Sequence, residues 1–553
     1  MKYIINDGGY PEHAKLFCRI LDEKTREIPD EISVALRVDA CGKNPDGYRI
    51  DGSGREFTVT GYGERGLYYG IGKFLHSAGY LKDGFYPKAT NGDVFPACSF
   101  RAMYFSIHFY NWYQQASADE LCEYVESLLL WGYGAIVVIV PVINLNSFDE
   151  PLFYASVAKA RSVFELCRKY GMDTGIILGS NQGLKSAPHE FDADLSYNQK
   201  HRGHAGRNLC ISNPQALDYM RDLWRRMLLA FKDTGIDYIL TWPYDEGGCG
   251  CERCKPWGAN GYCRAFAAIR EEGEKIYPQA KYIMSTWDFD ATEDEGEYSG
   301  LYAKMKAGIT VPDYIMVDNQ HEYPRYPLEH EPVRPVLNFP EISMWGLYPW
   351  GGFGANPLPR RFERLWRETR RILDGGMPYS EGKYEDLSKI QCVSYYWNPG
   401  RTYAETISEY SGFEFPGADT EKIVRVCELI EENHVGVYSG REPDREAYET
   451  AARIAAEENA KLLFGAEKSW RWRILYARTV LDKKRYDYYY GHKNDDPLML
   501  RLLVRHSGEM LKDDAEAQTL FRELCSYYGC VDYNGENQWT HPPVDGGYPE
   551  KRI

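Results

Sequence analysis

From residue 98 to about 415 the chain alternates short apolar runs with amphipathic stretches, and this alternation constrains the fold more than any other feature. "FRAMYFSIHF" reads as a strand, "ADELCEYVESLLLWGY" as a helix, "GAIVVIVPVI" as a buried strand and "ASVAKARSVFELCRKYG" as a helix. "DTGIILGSNQ" is a third strand. The helix after it, "NPQALDYMRDLWRRMLLAFKDTG", is entered from the N-cap types Ser212 and Asn213, with Pro214 in its first turn. "DYILTWPYDE", "KYIMSTWDFD", "DYIMVDNQHEYP" and "PVLNFPEISMWG" supply strands four to seven. "QCVSYYWNP" supplies the eighth, after the helical "RRFERLWRETRRILDGG". Eight strands alternating with helices over about 320 residues predict a (β/α)8 TIM barrel with long loops, in the α/β class. A doubly wound open sheet is the structural alternative, but no Gly-rich phosphate fingerprint follows the first strand.

The flanks differ in kind. Residues 1–96 contain "FTVTG", a strand, followed by "GERGLYYGIGKFLH", whose Leu67, Gly70, Ile71 and Phe74 recur at helical spacing; an N-terminal α+β domain is expected there. The barrel occupies 97–415. Residues 416–553 lose the strand signal and read as a helical region, which packs on the barrel or serves a homodimer interface.

Composition narrows the partners. A formal charge of −16 opposes binding to a phosphate backbone, so nucleic acid is excluded as a default partner. No apolar run is long enough for a membrane span, and the start "MKYIINDGGY" lacks a basic region followed by an apolar stretch, which predicts a cytoplasmic chain. The 45 Tyr and 13 Trp are abundant enough to supply flat rings for stacking on sugar faces as well as for packing.

In a barrel of this kind the loops at the C-terminal strand ends converge on one pocket, so those ends are where chemistry is sought. They carry His108, Asn111 and Trp112 on strand one, Asn181 on strand three, and Asp245 and Glu246 on strand four. Trp287 ends strand five; Asp318, Gln320 and His321 end strand six; Glu341, Trp345 and Trp350 end strand seven; Trp397 ends the last run, and Glu381 lies on an approach loop. Carboxylates and amides bind hydroxyls while rings cover apolar sugar faces. Glycoside hydrolysis needs two such carboxyl functions across the scissile bond. Glu246, Asp318 and Glu341 are the carboxylates drafted for catalysis; the plainer use of each is an ion pair with a nearby Arg. His108, Asn111, Asn181, Trp287, Gln320, His321, Trp345, Trp350 and Trp397 are expected to bind substrate. Neither a His-Glu-x-x-His metal pattern nor a Gly-x-Ser-x-Gly elbow is present, so no cofactor is expected in the chemical step.

These segments also carry a family resemblance. "VTGYGERGLYYGIGKFLHSAGY", "NLCISNPQALDYMRDLWRRMLLAF" with "DYILTWPYDEGGCGCERC", and "VSYYWNPGRTYAETISEYSGFEFPG" resemble, over about 55–435, the group of glycoside hydrolases that holds β-N-acetylhexosaminidases and family 67 α-glucuronidases. The resemblance implies an exo-acting enzyme that removes a terminal N-acetylhexosamine or uronic acid from an oligosaccharide or glycoconjugate. By likeness to the hexosaminidases, Asp245 would orient the substrate's acetamide and Glu246 would be the general acid. By likeness to the glucuronidases, Glu246 would again be the acid, with Asp318 and Glu341 flanking an inverting water. Beside Glu246 stand Gly247, Gly248 and Cys249, where no Lys matches the glucuronidase pattern. The rival from another class is a carbohydrate-binding protein on a hydrolase-like scaffold.

Of 14 cysteines, ten are scattered singly, Cys210 among them, which does not read as a disulfide framework and fits a reducing compartment. Cys249, Cys251, Cys254 and Cys263 form C-x-C-x2-C-x8-C, a set able to hold a structural zinc; free thiols packing the loop, or a disulfide, are the alternatives.

Overall fold

The computed structural model describes residues 2–25, 28–29, 31–107, 111–140, 142, 145–195, 207–243, 248–290, 296–319, 322–343, 350, 354–439, 444–491 and 511–528. At the N-terminus, β1 (Lys2–Asn6), α1 (Pro11–Thr25), β2 (Glu31–Val38), β3 (Tyr48–Ser53), β4 (Glu56–Gly61) and α2 (Glu64–His76) build a four-stranded sheet of order β1-β2-β4-β3. Its strands alternate buried and exposed positions, as in β2, because one face only is covered by helices. A small hairpin of β5 (Gly79–Leu81) and β6 (Gly84–Tyr86) leads onward.

Next comes β7 (Phe100–Ser106), buried at every position, then α3 (Trp112–Gln115) and α4 (Ala118–Trp131). A Ser117–Glu120 capping box fixes the start of α4 and Gly132, at φ 109°, ends it. The chain continues through β8 (Ala135–Ile139), α5 (Pro151–Lys169), β9 (Asp173–Gly179), the short β10 (Gln182–Gly183) and β11 (Arg207–Asn208), and α6 (Pro214–Leu229). Asn213 caps α6 as its sequence predicts, accepting from the Gln215 amide at 3.0 Å. Then follow β12 (Tyr238–Trp242), α7 (Gly261–Ile276), β13 (Lys281–Ser285), α8 (Glu297–Lys306), β14 (Tyr314–Asn319), α9 (Arg325–Glu329), β15 (Val336–Pro340), α10 (Pro359–Thr369) and β16 (Leu373–Gly376). The eight long-range parallel strands close in the order β12-β13-β14-β15-β16-β7-β8-β9, which excludes the open sheet. Buried on both faces, these strands read as continuous apolar runs.

Strand eight is a correction. "QCVSYYW" belongs to helix α11 (Asp386–Trp397), while the eighth strand is "LDGG", β16. The physical reason is crowding at the closing seam. A Cβ on Gly375, whose φ is +133°, would meet the Phe100 carbonyl oxygen at 1.8 Å, and one on Gly376 would meet Asn338 Oδ1 at 1.8 Å. Only glycine fits between β15 and β7, so this strand carries no apolar signature. Helix α11 is buried from Ser388 through Val393 and again at Tyr395 and Tyr396, so its sequence lacks the polar face that marks a surface helix.

The C-terminal part is helical: α12 (Tyr403–Glu414), α13 (Thr420–Ser439), α14 (Arg445–Asn459), α15 (Trp470–Gly491) and α16 (Ala515–Tyr528). It has its own apolar core around Ile407, Tyr410, Ile423, Trp472 and Phe521. Among the described residues, no helix is long and apolar enough to cross a membrane. The N-terminal sheet is fastened to the base of the barrel by Asp46, which accepts from Arg101 Nη2 at 2.6 Å and Arg65 Nε at 2.7 Å.

Candidate active site

The direction of the strand-end side chains follows from one ring. Phe339 of β15 lies 5.2 Å from Trp242, 6.0 Å from Trp287, 6.0 Å from Tyr104 and 5.8 Å from Tyr379, measured between ring centroids. Those rings come from opposite sides of the barrel, so Phe339 points into it. Asp318 is the register partner of Phe339 across β14 and β15, and partners in a parallel ladder share a face. Two residues after Phe339, Glu341 returns to that inward face; it is 1% exposed and is bridged in parallel to Tyr379. The Tyr379 hydroxyl in turn donates to Glu381 Oε1 at 2.8 Å. The ends of strands six and seven and the loop after strand eight thus each carry a carboxyl group at the C-terminal mouth, above a floor where Trp242 and Trp287 stack at 5.5 Å.

The environments of these groups differ. Burial pushes the Glu381 carboxyl up to about 7, against the opposing hydrogen bond from Tyr379. Glu341 faces positive charge from Arg361 at the start of α10: burial holds that guanidinium below its usual range, and Glu341 is the largest influence favouring its charged form. Glu381 lies on a loop, as its sequence position suggests, but the strand that this loop follows was placed elsewhere; the signal that marks it is the Gly-rich strand ending five residues before it.

A buried polar network holds these loops together. Glu385 accepts from Ser343 Oγ at 2.7 Å and Ser380 Oγ at 3.0 Å, and so joins the segments just beyond Glu341 and just before Glu381. Ser106 at the end of β7 donates to the Ser380 carbonyl at 2.9 Å, and Asn111 Nδ2 donates to Ser106 Oγ at 2.6 Å. Lys389 completes the network by donating to the Tyr113 and Tyr124 hydroxyls at 3.0 and 2.8 Å. Burial raises the pKa of Glu385 and pushes the Lys389 amine down to about 8.

Of the residues expected from sequence, His108, Asp245, Glu246, Gln320, His321 and Trp345 lie outside the described residues. Asp318, Glu341 and Trp287 come together at the mouth. Asn111 and Asn181 sit beneath it with their amides turned to protein partners: Asn181 donates to the Leu209 and Gly248 carbonyls and accepts from the Gly248 amide. Two positions are corrected. Trp397 lies at the other end of the barrel, donating to the Gly132 carbonyl at 3.1 Å and packing under the Arg101 guanidinium, because it belongs to α11 rather than to a strand. Trp350 is buried in the helical core, where its Nε1 donates to Asp482 Oδ1 at 2.7 Å and Arg478 covers its ring.

The cysteine set is corrected as well. The sulfurs of Cys210, Cys249, Cys251 and Cys254 lie within 4.8 Å of one another, a group able to hold a metal ion. Cys263, on α7, instead donates to the Gly258 carbonyl at 3.3 Å. Cys210 reaches the cluster across 41 positions of sequence from Cys251, a proximity created only by the packing of the β9–α6 connection on the loop after β12.

No protein-family model and no curated protein matches the sequence. Solved structures do match. A family 89 glycoside hydrolase from Clostridium perfringens, in complex with its substrate GlcNAc-α-1,4-galactose, superposes with a TM-score of 0.60 at 11% identity, over 94% of this chain and 65% of that one. The same enzyme in complex with PUGNAc gives 0.59 at 13% identity, over 94% and 66%. A family 138 enzyme targeting pectin rhamnogalacturonan II gives 0.57 at 12% identity, over 100% and 77%. This chain therefore spans about two thirds of the length of the family 89 enzyme. Its fold, an eight-stranded parallel barrel with a small sheet domain before it and helices after it, is one it shares with glycoside hydrolases of families 89 and 138.

Proposed function

We propose that the protein is an exo-acting glycoside hydrolase that cleaves a terminal sugar of the N-acetylhexosamine or uronic acid class from a glycan. The observation that carries this reading is the convergence of Asp318, Glu341 and Glu381 on one barrel mouth over the Trp242–Trp287 stack. Bond cleavage needs a proton donor and an ionised partner, which a mouth rich in carboxyl groups supplies. Glu246 is the general acid: it gives its proton to the glycosidic oxygen as the bond to the anomeric carbon breaks. On the inverting route Asp318 and Glu341 flank the water, and one of the two carboxylates takes its proton as the oxygen bonds to that carbon. On the alternative route Asp245 orients the substrate's acetamide, whose oxygen attacks first, and water then opens the resulting ring.

The carboxyl groups suffice for either route without a cofactor. Because the family 89 neighbour is held with GlcNAc-α-1,4-galactose, α-linked N-acetylglucosaminides are the first substrates to assay. The test is a panel of nitrophenyl glycosides covering N-acetylhexosamines, uronic acids and neutral hexoses in both anomers. Hydrolysis confined to one N-acetylhexosaminide or uronide is expected, and the anomer of the released sugar separates the routes: inversion supports Asp318 and Glu341, retention supports the acetamide. Carbohydrate binding without turnover of any member would favour the binding protein instead.

A further inference from the structure

The four sulfurs gathered after β12 have the dimensions of a metal centre. A zinc ion bound by four thiolates at about 2.3 Å has sulfur-to-sulfur edges of about 3.8 Å. Cys210 and Cys251 stand 3.8 Å apart, and no pair in the group exceeds 4.8 Å. A disulfide would bring two of them to about 2.05 Å and leave the other two without a use. Cys249 and Cys254 are fully buried, while Cys210 and Cys251 are partly exposed, so the site has a protected floor and a route for an ion to enter.

Polar hydrogens around the sulfurs provide an independent sign. The Asp194 amide donates to Cys249 Sγ at 3.4 Å, and Ser212 Oγ is 2.9 Å from Cys254 Sγ. Arg264 Nη1 donates to Ser212 Oγ at 2.5 Å, placing a positive charge one bond away from a centre that carries net negative charge when four thiolates meet a divalent ion. Neutral thiols buried for packing alone do not call for donors from several directions; thiolates do. Four sulfurs leave no open coordination position, so the centre is structural.

We propose that Cys210, Cys249, Cys251 and Cys254 lose their thiol protons to solvent and bind one tetrahedral zinc ion. The centre fastens the loop after β12 to the connection entering α6. Glu246 precedes Cys249 by three positions, so the ion anchors the loop that carries the general acid; this second part rests on the glycosidase reading, while metal binding does not. The anchoring is doubled by Asn181, which grips Gly248 through both its amide and its carbonyl.

The test uses the full chain purified under reducing conditions without chelator, with metal content read by mass spectrometry. About one equivalent of zinc per chain is expected, falling below about 0.1 in Cys210→Ala and staying near one in Cys263→Ala. Should Cys210→Ala fail to fold, the wild-type protein exchanged with cobalt supplies the second readout: intense d–d bands and thiolate-to-cobalt charge transfer report a tetrahedral four-sulfur site. Wild-type protein without zinc and without those cobalt bands would overturn the proposal, as would zinc lost in Cys263→Ala but kept in Cys210→Ala. Hydrogen exchange of the peptide spanning 240–255 is expected to rise at least about tenfold when the ion is removed, whether or not any glycoside is turned over. Unchanged exchange would overturn the anchoring role while leaving the glycosidase reading untouched.

Discussion

Tyr379 donates its hydroxyl to Glu381 at 2.8 Å while its backbone is bridged to Glu341, so one tyrosine ties the Glu381 carboxyl group to the main chain at the end of strand seven. Burial lifts Glu381 to about 7, and the Tyr379 bond holds it from rising further. Activity is therefore expected to titrate with an apparent pKa near that value, and Glu381→Gln should remove this limb from the pH profile. Tyr379→Phe should move it to higher pH. The sign for stability is the opposite of an ordinary salt-bridged acid: a carboxyl raised in the folded state contributes fully below its unfolded value of about 4.3 and loses that contribution as pH rises through the folded value. Glu381→Gln is expected to be more stable than wild type at pH 8 relative to pH 5, measured by chemical denaturation at both.

Glu385 is a positioning residue for two loops at once. Glu385→Ala takes an acceptor from Ser343 and Ser380 and the nearby carboxylate from the buried Lys389, and removal of one partner from such a buried charged network costs about 3–5 kcal/mol. Displacement of Glu341 and Glu381 should lower kcat by about 10²-fold with a smaller change in KM. Glu385→Gln, which keeps an acceptor for one serine, should recover part of both. Thermal unfolding and steady-state kinetics on the same preparations check this, and a loss of stability without the kcat effect would remove the positioning role.

At the far end of the barrel, Asp46 ties the N-terminal sheet to Arg101 and Arg65. Burial works to raise its pKa, but the two guanidinium groups prevail and hold it below the usual carboxylate range. A carboxyl lowered in the folded state contributes stability above its unfolded value of about 3.9 and loses it as pH falls through the folded value. Asp46→Ala leaves Arg101 buried without its ion pair, an expected cost of about 3–5 kcal/mol at neutral pH, with the difference from wild type shrinking in acid. Because the contact is remote from the mouth, kcat of the folded variant should be unchanged. Urea unfolding across pH and turnover at low temperature measure the two.

How much of this was legible in sequence depends on what each residue's neighbours are. Seven barrel strands announced themselves, since a strand covered on both faces must be apolar throughout, as "AIVVI" is. The eighth was hidden because close approach to Phe100 and Asn338 demanded glycine instead of bulk. That one displacement carried Trp397 to the wrong end of the barrel and hid which strand the loop of Glu381 follows. Asp318 and Glu341 were legible because their strands were. Cys210 was not, for nothing in a linear pattern tells that the connection before α6 folds onto the loop after β12.

The most direct measurement of the central claim is the turnover of Glu246→Gln on the preferred glycoside with a sugar leaving group, which needs protonation to depart. Loss of general-acid catalysis lowers kcat by about 10² or more, and the deficit should shrink on a substrate with a nitrophenyl leaving group. A folded Glu246→Gln variant that releases the sugar leaving group at near wild-type rate would contradict the assignment of Glu246 as the acid.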